Sequence, residues 1–285
     1  MPRILIPLIL GVLGPAWGQE IFFDVSPSLD WIRGEMQAQV SYDLTQAGIR
    51  LPTGRFLAEE TLQEAYSGLL KPHLLSLQVD SNSTMGDLIN RGEVSLGELD
   101  ALCLGADKIP PNLSADLTRI SGLYTVFIEK ISTLLLRGRR AIEPERPLVP
   151  VQTADYTGII IIADSELPVH GRRAQVLLAP CLFPKIWDAN MKVVYERNML
   201  QSGLMLRYAT RESILRPTPS GLEGELAALV GPNPLRILAR EAFGINPTDP
   251  VIDREDALKI LSSENNRRLL AEGRVLFVLD EKMLK

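Results

Sequence analysis

The sequence predicts an α+β protein of two small α/β layers joined by a Pro/Arg-rich linker, with mainly antiparallel or mixed sheets. Three stretches carry this expectation. Residues Glu35 to Leu44 alternate, with Met36, Ala38, Val40, Tyr42 and Leu44 apolar and Glu35, Gln37, Gln39, Ser41 and Asp43 polar, the period of a strand with one wet face. Ala58, Leu62, Ala65, Tyr66, Leu69 and Leu70 fall on one face of a helix and Glu59, Glu60, Gln63 and Glu64 on the other. Ile159 to Ile162 form an unbroken aliphatic run, which implies a strand buried on both faces at the centre of its sheet. A chain of 285 residues accommodates two ordinary domains.

The elements follow in order. In the alternating run a helix competes, because Ile32, Met36, Val40 and Leu44 also recur every four residues; the strand is favoured because alternation holds throughout and Gly48 and Pro52 follow it. Pro72 is expected to stop the Ala58 to Leu70 helix. Leu74 to Val79 reads as a short strand, Asp80 to Ser83 as a turn, and Met85 to Asn90 and Glu98 to Leu104 as short helices. Ile109-Pro110-Pro111-Asn112 breaks the pattern. Leu117 to Ile120 and Tyr124 to Ile131 then read as a hairpin or bent strand around Ser121-Gly122, from their β-branched and aromatic content.

Arg137 to Pro150 alternates arginine, glutamate and proline and is read as a linker, with a basic patch for a polyanion or cell wall as the alternative. These features divide the chain into a cleaved signal peptide at 1–18, an N-terminal α+β domain at 19–136, a linker at 137–152 and a C-terminal α+β domain at 153–285. In the second domain the isoleucine strand leads into a polar loop from Asp164 to Ala174. A hairpin follows from Phe183 to Tyr195, turning on Asp188-Ala189-Asn190-Met191. Pro217, Pro219, Gly221 and Gly224 mark a loop and Leu235 to Phe243 a strand. Asp253 is placed to cap a helix, a second helical turn ends at Gly273, and Arg274 to Leu279 is a closing strand.

The amino terminus has the form of an export signal. Arg3 precedes the apolar stretch Ile4 to Leu13, and Ala16-Trp17-Gly18 supplies small residues for cleavage between Gly18 and Gln19. About ten apolar residues are too few to span a bilayer, so the mature chain is expected in the periplasm without a transmembrane segment. A formal charge of −5 argues against general binding to nucleic acid or anionic lipid. In an oxidising compartment Cys103 and Cys181 could pair; both also suit buried free thiols, lying among leucines and beside Pro180.

Residues for chemistry are sparse. His73 and His170 lack a third group to orient either ring. The acidic group Asp249, Asp253, Glu255 and Asp256 is interrupted by Pro250, follows Pro247 and lacks the mid-loop glycine of a calcium loop. Asp164 and Glu166 could form an acid pair at a strand end. No catalytic, cofactor-binding or metal-binding residue is assigned, and the expectation is a non-enzymatic protein.

Residues Tyr156-Thr157-Gly158-Ile159-Ile160-Ile161, a following Asp164, and Pro180-Cys181-Leu182-Phe183-Pro184-Lys185-Ile186-Trp187-Asp188 leading to Val194-Tyr195 resemble the FlgP-type flagellar assembly proteins. Gly231-Pro232-Asn233-Pro234-Leu235, Thr248 to Ile252, Asp256-Ala257, Ile260-Leu261 and Gly273-Arg274-Val275 extend the likeness in the same order. The sequence departs from the family at Asp164-Ser165-Glu166-Leu167, where an Asp-Ala-Arg-Gly turn is usual, and it lacks a lipobox cysteine. The resemblance implies a structural role in the periplasm, with motor components or other envelope proteins as partners, a homo-oligomeric assembly, and a part in motility. A different class is a periplasmic module that binds a small ligand or cell-wall glycan between its two halves.

Overall fold

The computed structural model describes residues 22–201, 203–215 and 222–285. The expected signal peptide, its cleavage point at Gly18 and Gln19, and the loop at Pro217, Pro219 and Gly221 lie outside the described residues, whereas Gly224, expected in that loop, is in a helix. The architecture is mixed α+β in two domains.

The first domain begins with β1 (Phe23–Asp30) and β2 (Glu35–Asp43), then α1 (Arg55–Leu75), β3 (Gln78–Asp80), β4 (Ser83–Thr84), α2 (Met85–Asn90) and α3 (Leu96–Leu104). It closes with β5 (Asp107–Leu113), β6 (Arg119–Phe127) and α4 (Ile128–Leu136). Its main sheet is antiparallel in the order β1-β2-β6-β5. Register puts Met36 opposite Val126, Ala38 opposite Tyr124, Val40 opposite Gly122 and Tyr42 opposite Ile120, so the apolar half of the alternating run lies on one inner face. There α1 covers it with Ala58, Leu62, Tyr66, Leu70 and Leu74, and Tyr66 stacks on Tyr124 at 4.5 Å.

Four expectations here needed correction. Pro72 does not end the helix: α1 runs on to Leu75 because the buried Leu74 anchors the last turn, where the absent N–H of proline costs one hydrogen bond and not the core. The short strand accordingly starts at Gln78 and not Leu74. Ile128 to Leu136 is a helix, although Ile128 and Ile131 carry β-branched side chains; Ile131, Leu135 and Leu136 turn onto the core at helical spacing. Pro110 and Pro111 lie inside β5, which tolerates them as an edge strand with a register shift between Ile109 and Asn112. The other edge, β1, also carries a proline, Pro27.

Residues 137–158 contain no helix or strand. The second domain runs through β7 (Ile159–Ala163), β8 (Leu167–Pro168), β9 (Gln175–Val176), β10 (Ile186–Asp188), β11 (Val193–Tyr195), β12 (Arg207–Ala209), α5 (Arg211–Leu215) and α6 (Leu222–Val230). It ends with β13 (Leu235–Leu238), β14 (Glu241–Phe243), β15 (Asp249–Ile252), α7 (Arg254–Ser262), α8 (Glu264–Ala271) and β16 (Val275–Leu279). One sheet, β12-β16-β7-β13, is parallel throughout. β7 sits inside it between β16 and β13, with Ile159 and Ile161 in the main core and Ile160 packed with Leu226 and Val230 of α6 on the opposite face. That two-sided cover is why the run shows no alternation.

A second sheet, β11-β10-β15-β14, mixes directions. Residues 235–243 therefore form two strands in two sheets and not one: Ala239 donates to Ile162, whereas Arg240 already donates to Val251. Asp253 does stand at the N-cap of α7, but its side chain caps nothing; its carboxylate instead accepts from Arg240 at 2.7 Å.

Candidate functional site

The densest polar arrangement lies where the two domains meet, and its centre is Asp249. β15 begins at this residue, and β10 and the β3–β4 turn converge on it. The residue is fully buried. Its carboxylate accepts from Ser81 Oγ of the first domain at 2.8 Å and from Trp187 Nε1 at 3.2 Å, the Lys185 amide at 3.1 Å and Thr248 Oγ1 at 3.1 Å in the second. Burial pushes this carboxyl above its ordinary range, and the four donors pull it back. Such a group is tolerated in a core only because its lone pairs are filled.

Backbone bonds cross the same junction. Leu182 donates to Gln78 and Phe183 to Val79, while Asn246 donates to Ser81 and Trp31 to Leu284. The approach is close enough that a Cβ at Gly244, whose φ is +117°, would meet Ser81 Cβ at 2.4 Å. On another side Trp31 meets Tyr208 edge to face at 5.6 Å, and Tyr208 lies 5.7 Å from Phe277. The Tyr208 hydroxyl donates to the Cys181 carbonyl at 2.6 Å and accepts from the Cys181 amide at 3.1 Å.

An ionic clasp closes the outer side. Glu93 of the first domain pairs with Arg91 at 3.1 Å, with Arg139 of the linker at 3.4 Å and with Arg197 of the second domain at 3.3 Å. Arg197 also lies over the Phe183 ring. Arg137 pairs with Glu98, and Lys192 with Glu145 at 2.6 Å. The linker is thus laced to both domains, which answers for Arg137 and Arg139 of the suggested basic patch.

The residues of the motif have distinct structural tasks. The Thr157 hydroxyl donates to the Val230 carbonyl at 2.7 Å and accepts from the Asn233 amide at 2.9 Å. A Cβ on Gly158 would meet the Val230 backbone at 2.5 Å. Together they clamp the turn that follows α6. Asp164 receives a two-pronged contact from Arg211, whose pKa it raises. A carboxylate so engaged is a strand-end tether, and Glu166 does not share the contact.

Pro180, Phe183, Pro184, Lys185 and Trp187 are the junction segment itself. Asp188 organises the hairpin turn by accepting from the amides of Asn190 at 2.9 Å and Lys192 at 2.8 Å. Tyr195 is buried, with no hydrogen-bond partner for its hydroxyl among the described residues, and burial drives its pKa up.

Cys103 and Cys181 are buried free thiols; no disulfide joins them. One belongs to α3 and the other to the junction. Burial raises Cys103 to about 11 and Cys181 well above its ordinary value. His170 contacts Glu241 through Nδ1 at 2.5 Å and lies edge-on to Phe243, while His73 lines a cleft of about 400 Å3 with Leu29, Trp31, Gln78, Pro180 and Met283 at the domain junction. The acidic quartet disperses: Asp249 is internal, Asp253 meets Arg240 and Asp256 meets Lys259. Sequence reasoning missed the importance of Asp249, Ser81 and Glu93; the only advance signal was the buried-strand context of Asp249 next to Pro250.

Residues 23–134 match the family model described as Treponema pallidum Tp0624, N-terminal domain, and residues 158–281 the model described as Treponema pallidum Tp0624, second domain. The matches lie in series and together span most of the chain, which thus carries the two domains of that family in order. The family named is not the FlgP-type family that residues 156–195 resemble. No curated protein matches the chain.

Proposed function

We propose that this chain, built from two consecutive Tp0624-type domains, is a non-enzymatic structural protein of the periplasm that works by contact with other envelope proteins. The observation that carries this reading is the junction: a buried carboxylate held from both domains, crossed by backbone bonds and aromatic contacts. Such a seam fixes the angle between two domains, which a scaffold needs and a hinge-bending receptor does not. Charged side chains near strand ends are spent on tethers, as with Asp164 and Arg211.

The contact surface we favour is the β13 edge of the parallel sheet, where Arg236 and Leu238 face solvent and no strand among the described residues pairs with the outer side. A role in the flagellar motor rests on the likeness of residues 156–195 to FlgP-type proteins. A second reading, a ligand held between the halves, draws on the cleft beside Trp31 and His73.

A photo-crosslinking residue at position 238 of the exported chain tests the proposal in cells. The expected product is a discrete adduct, either with a second copy or with one envelope protein, lost when the neighbouring exposed Arg236 is changed to aspartate. Absence of any adduct at position 238, with a monomer in sedimentation at high concentration, overturns the scaffold reading. Gene deletion followed by swimming assays and tomography of the motor tests the flagellar part separately, and normal motors remove it.

A further inference from the structure

One cation in the second domain stands in an unusual position. Arg267 on α8 is buried at 7% exposure, and the one hydrogen bond of its side chain to the described residues runs from Nη1 to the Leu261 carbonyl at 2.6 Å. No carboxylate among the described residues pairs with it. Buried guanidiniums are almost always matched by an anion, because the desolvation of the charge is costly otherwise. Leu261 lies in the last turn of α7, so part of this charge meets the negative end of that helix, but a guanidinium carries five N–H donors and this contact uses one.

Arg267 also lines a cavity of about 330 Å3 roofed by the linker, a volume within the range of small-molecule sites. Arg146, Arg268, Glu143 and Glu264 stand around it, together with Gln201 and Ala271. Arg268 is committed to Glu272 at 3.4 Å and to Asn265 at 3.0 Å. Glu143, Arg146 and Glu264 form no ion pair with each other or with any described residue. Charges of both signs thus border one cavity without neutralising one another, and the one buried charge is positive.

We propose that this cavity binds a zwitterionic amino-acid group, its carboxylate seated on Arg267 and its ammonium held at the mouth by Glu143 or Glu264. Two-pronged guanidinium–carboxylate contact supplies the geometry for the first part. The linker segment 141–146 forms one wall, so occupancy ties the linker to α8.

Calorimetric titration of the full mature chain with the dipeptide Ala-Ala, its carboxyl-terminal amide and its N-acetyl derivative tests the site. The free dipeptide is expected to bind, the amide to lose at least tenfold in affinity, and the acetylated form to lose at least fivefold. Arg267→Met is expected to abolish binding. Should that variant fail to fold, Ala271→Phe fills the cavity without touching Arg267 and is expected to abolish binding while leaving the melting temperature within about two degrees of the parent. Equal affinity for acid and amide, unchanged binding in Arg267→Met or Ala271→Phe, or equal binding of the acetylated form overturns the proposal. No binding of any of the three compounds by the parent, together with a lowered melting temperature in Arg267→Met, assigns Arg267 to capping α7 alone and also overturns it.

Discussion

Asp249 concentrates the energetics of the junction in one side chain. Four donors point at its two oxygens, and Asp249→Ala leaves them facing apolar surroundings, at a cost of about 4 kcal/mol by urea denaturation. Its pH dependence runs against that of the surface carboxylates. Because burial raises its folded pKa above the ordinary 3.8, its contribution to stability falls as pH rises through that range and is flat above the raised value. Glu98 behaves in the opposite sense. Bonds from the Ser95 amide, Arg137 and the Ser95 hydroxyl lower it from 4.5 to about 2, so its contribution is complete above pH 4.5 and is lost as pH falls toward 2. Melting temperature against pH should therefore show a shallower acid limb in Glu98→Gln than in the parent, and a steeper one in Asp249→Ala. An unchanged acid limb in Glu98→Gln would mean that the Ser95 capping box and the Arg137 tether do not act on the folded state.

At the scale of elements, Thr157-Gly158 shows how a short motif fixes a large connection. A methyl group on Gly158 would run into the Val230 backbone at 2.5 Å, and backbone cannot rotate out of the way as a side chain can. Gly158→Ala should cost about 3 kcal/mol and should loosen α6 before the rest of the domain, which hydrogen exchange at residues 224–230 would detect. Elements whose pattern came from one dominant cause were legible from sequence: the alternation of 35–43, the isoleucine strand, the hairpin at 186–195 and the closing strand. Those set by competition were not. Ile128 and Ile131 prefer strands locally, yet α4 forms because its apolar residues recur at helical spacing. β5 was hidden by Pro110 and Pro111, which only an edge position accommodates. The junction was least legible of all, since Ser81 and Asp249 are 168 residues apart and neither is unusual in its own segment.

At the scale of the whole molecule, most buried residues of both domains form one continuous core, from Trp31 and Met36 to Phe277 and Leu284, with a smaller cluster under α6 on the far face of the parallel sheet. The parent is accordingly expected to unfold in a single calorimetric transition with equal calorimetric and van't Hoff enthalpies. Replacing both Ser81 and Asp249 by alanine, together with Glu93→Ala, should split it into two, since these side chains tie the first domain to the second. A single transition that persists in that triple variant would show that the apolar contacts alone hold the domains together. No helix among the described residues is long and apolar enough to cross a membrane.

The prolines of the first sheet have a consequence for behaviour at high local concentration. Pro27 sits in one outermost strand and Pro110 and Pro111 in the other, so neither flank offers an uninterrupted ladder of amide donors to an incoming chain. Copies crowded side by side can therefore pack against one another without this sheet seeding fibrils.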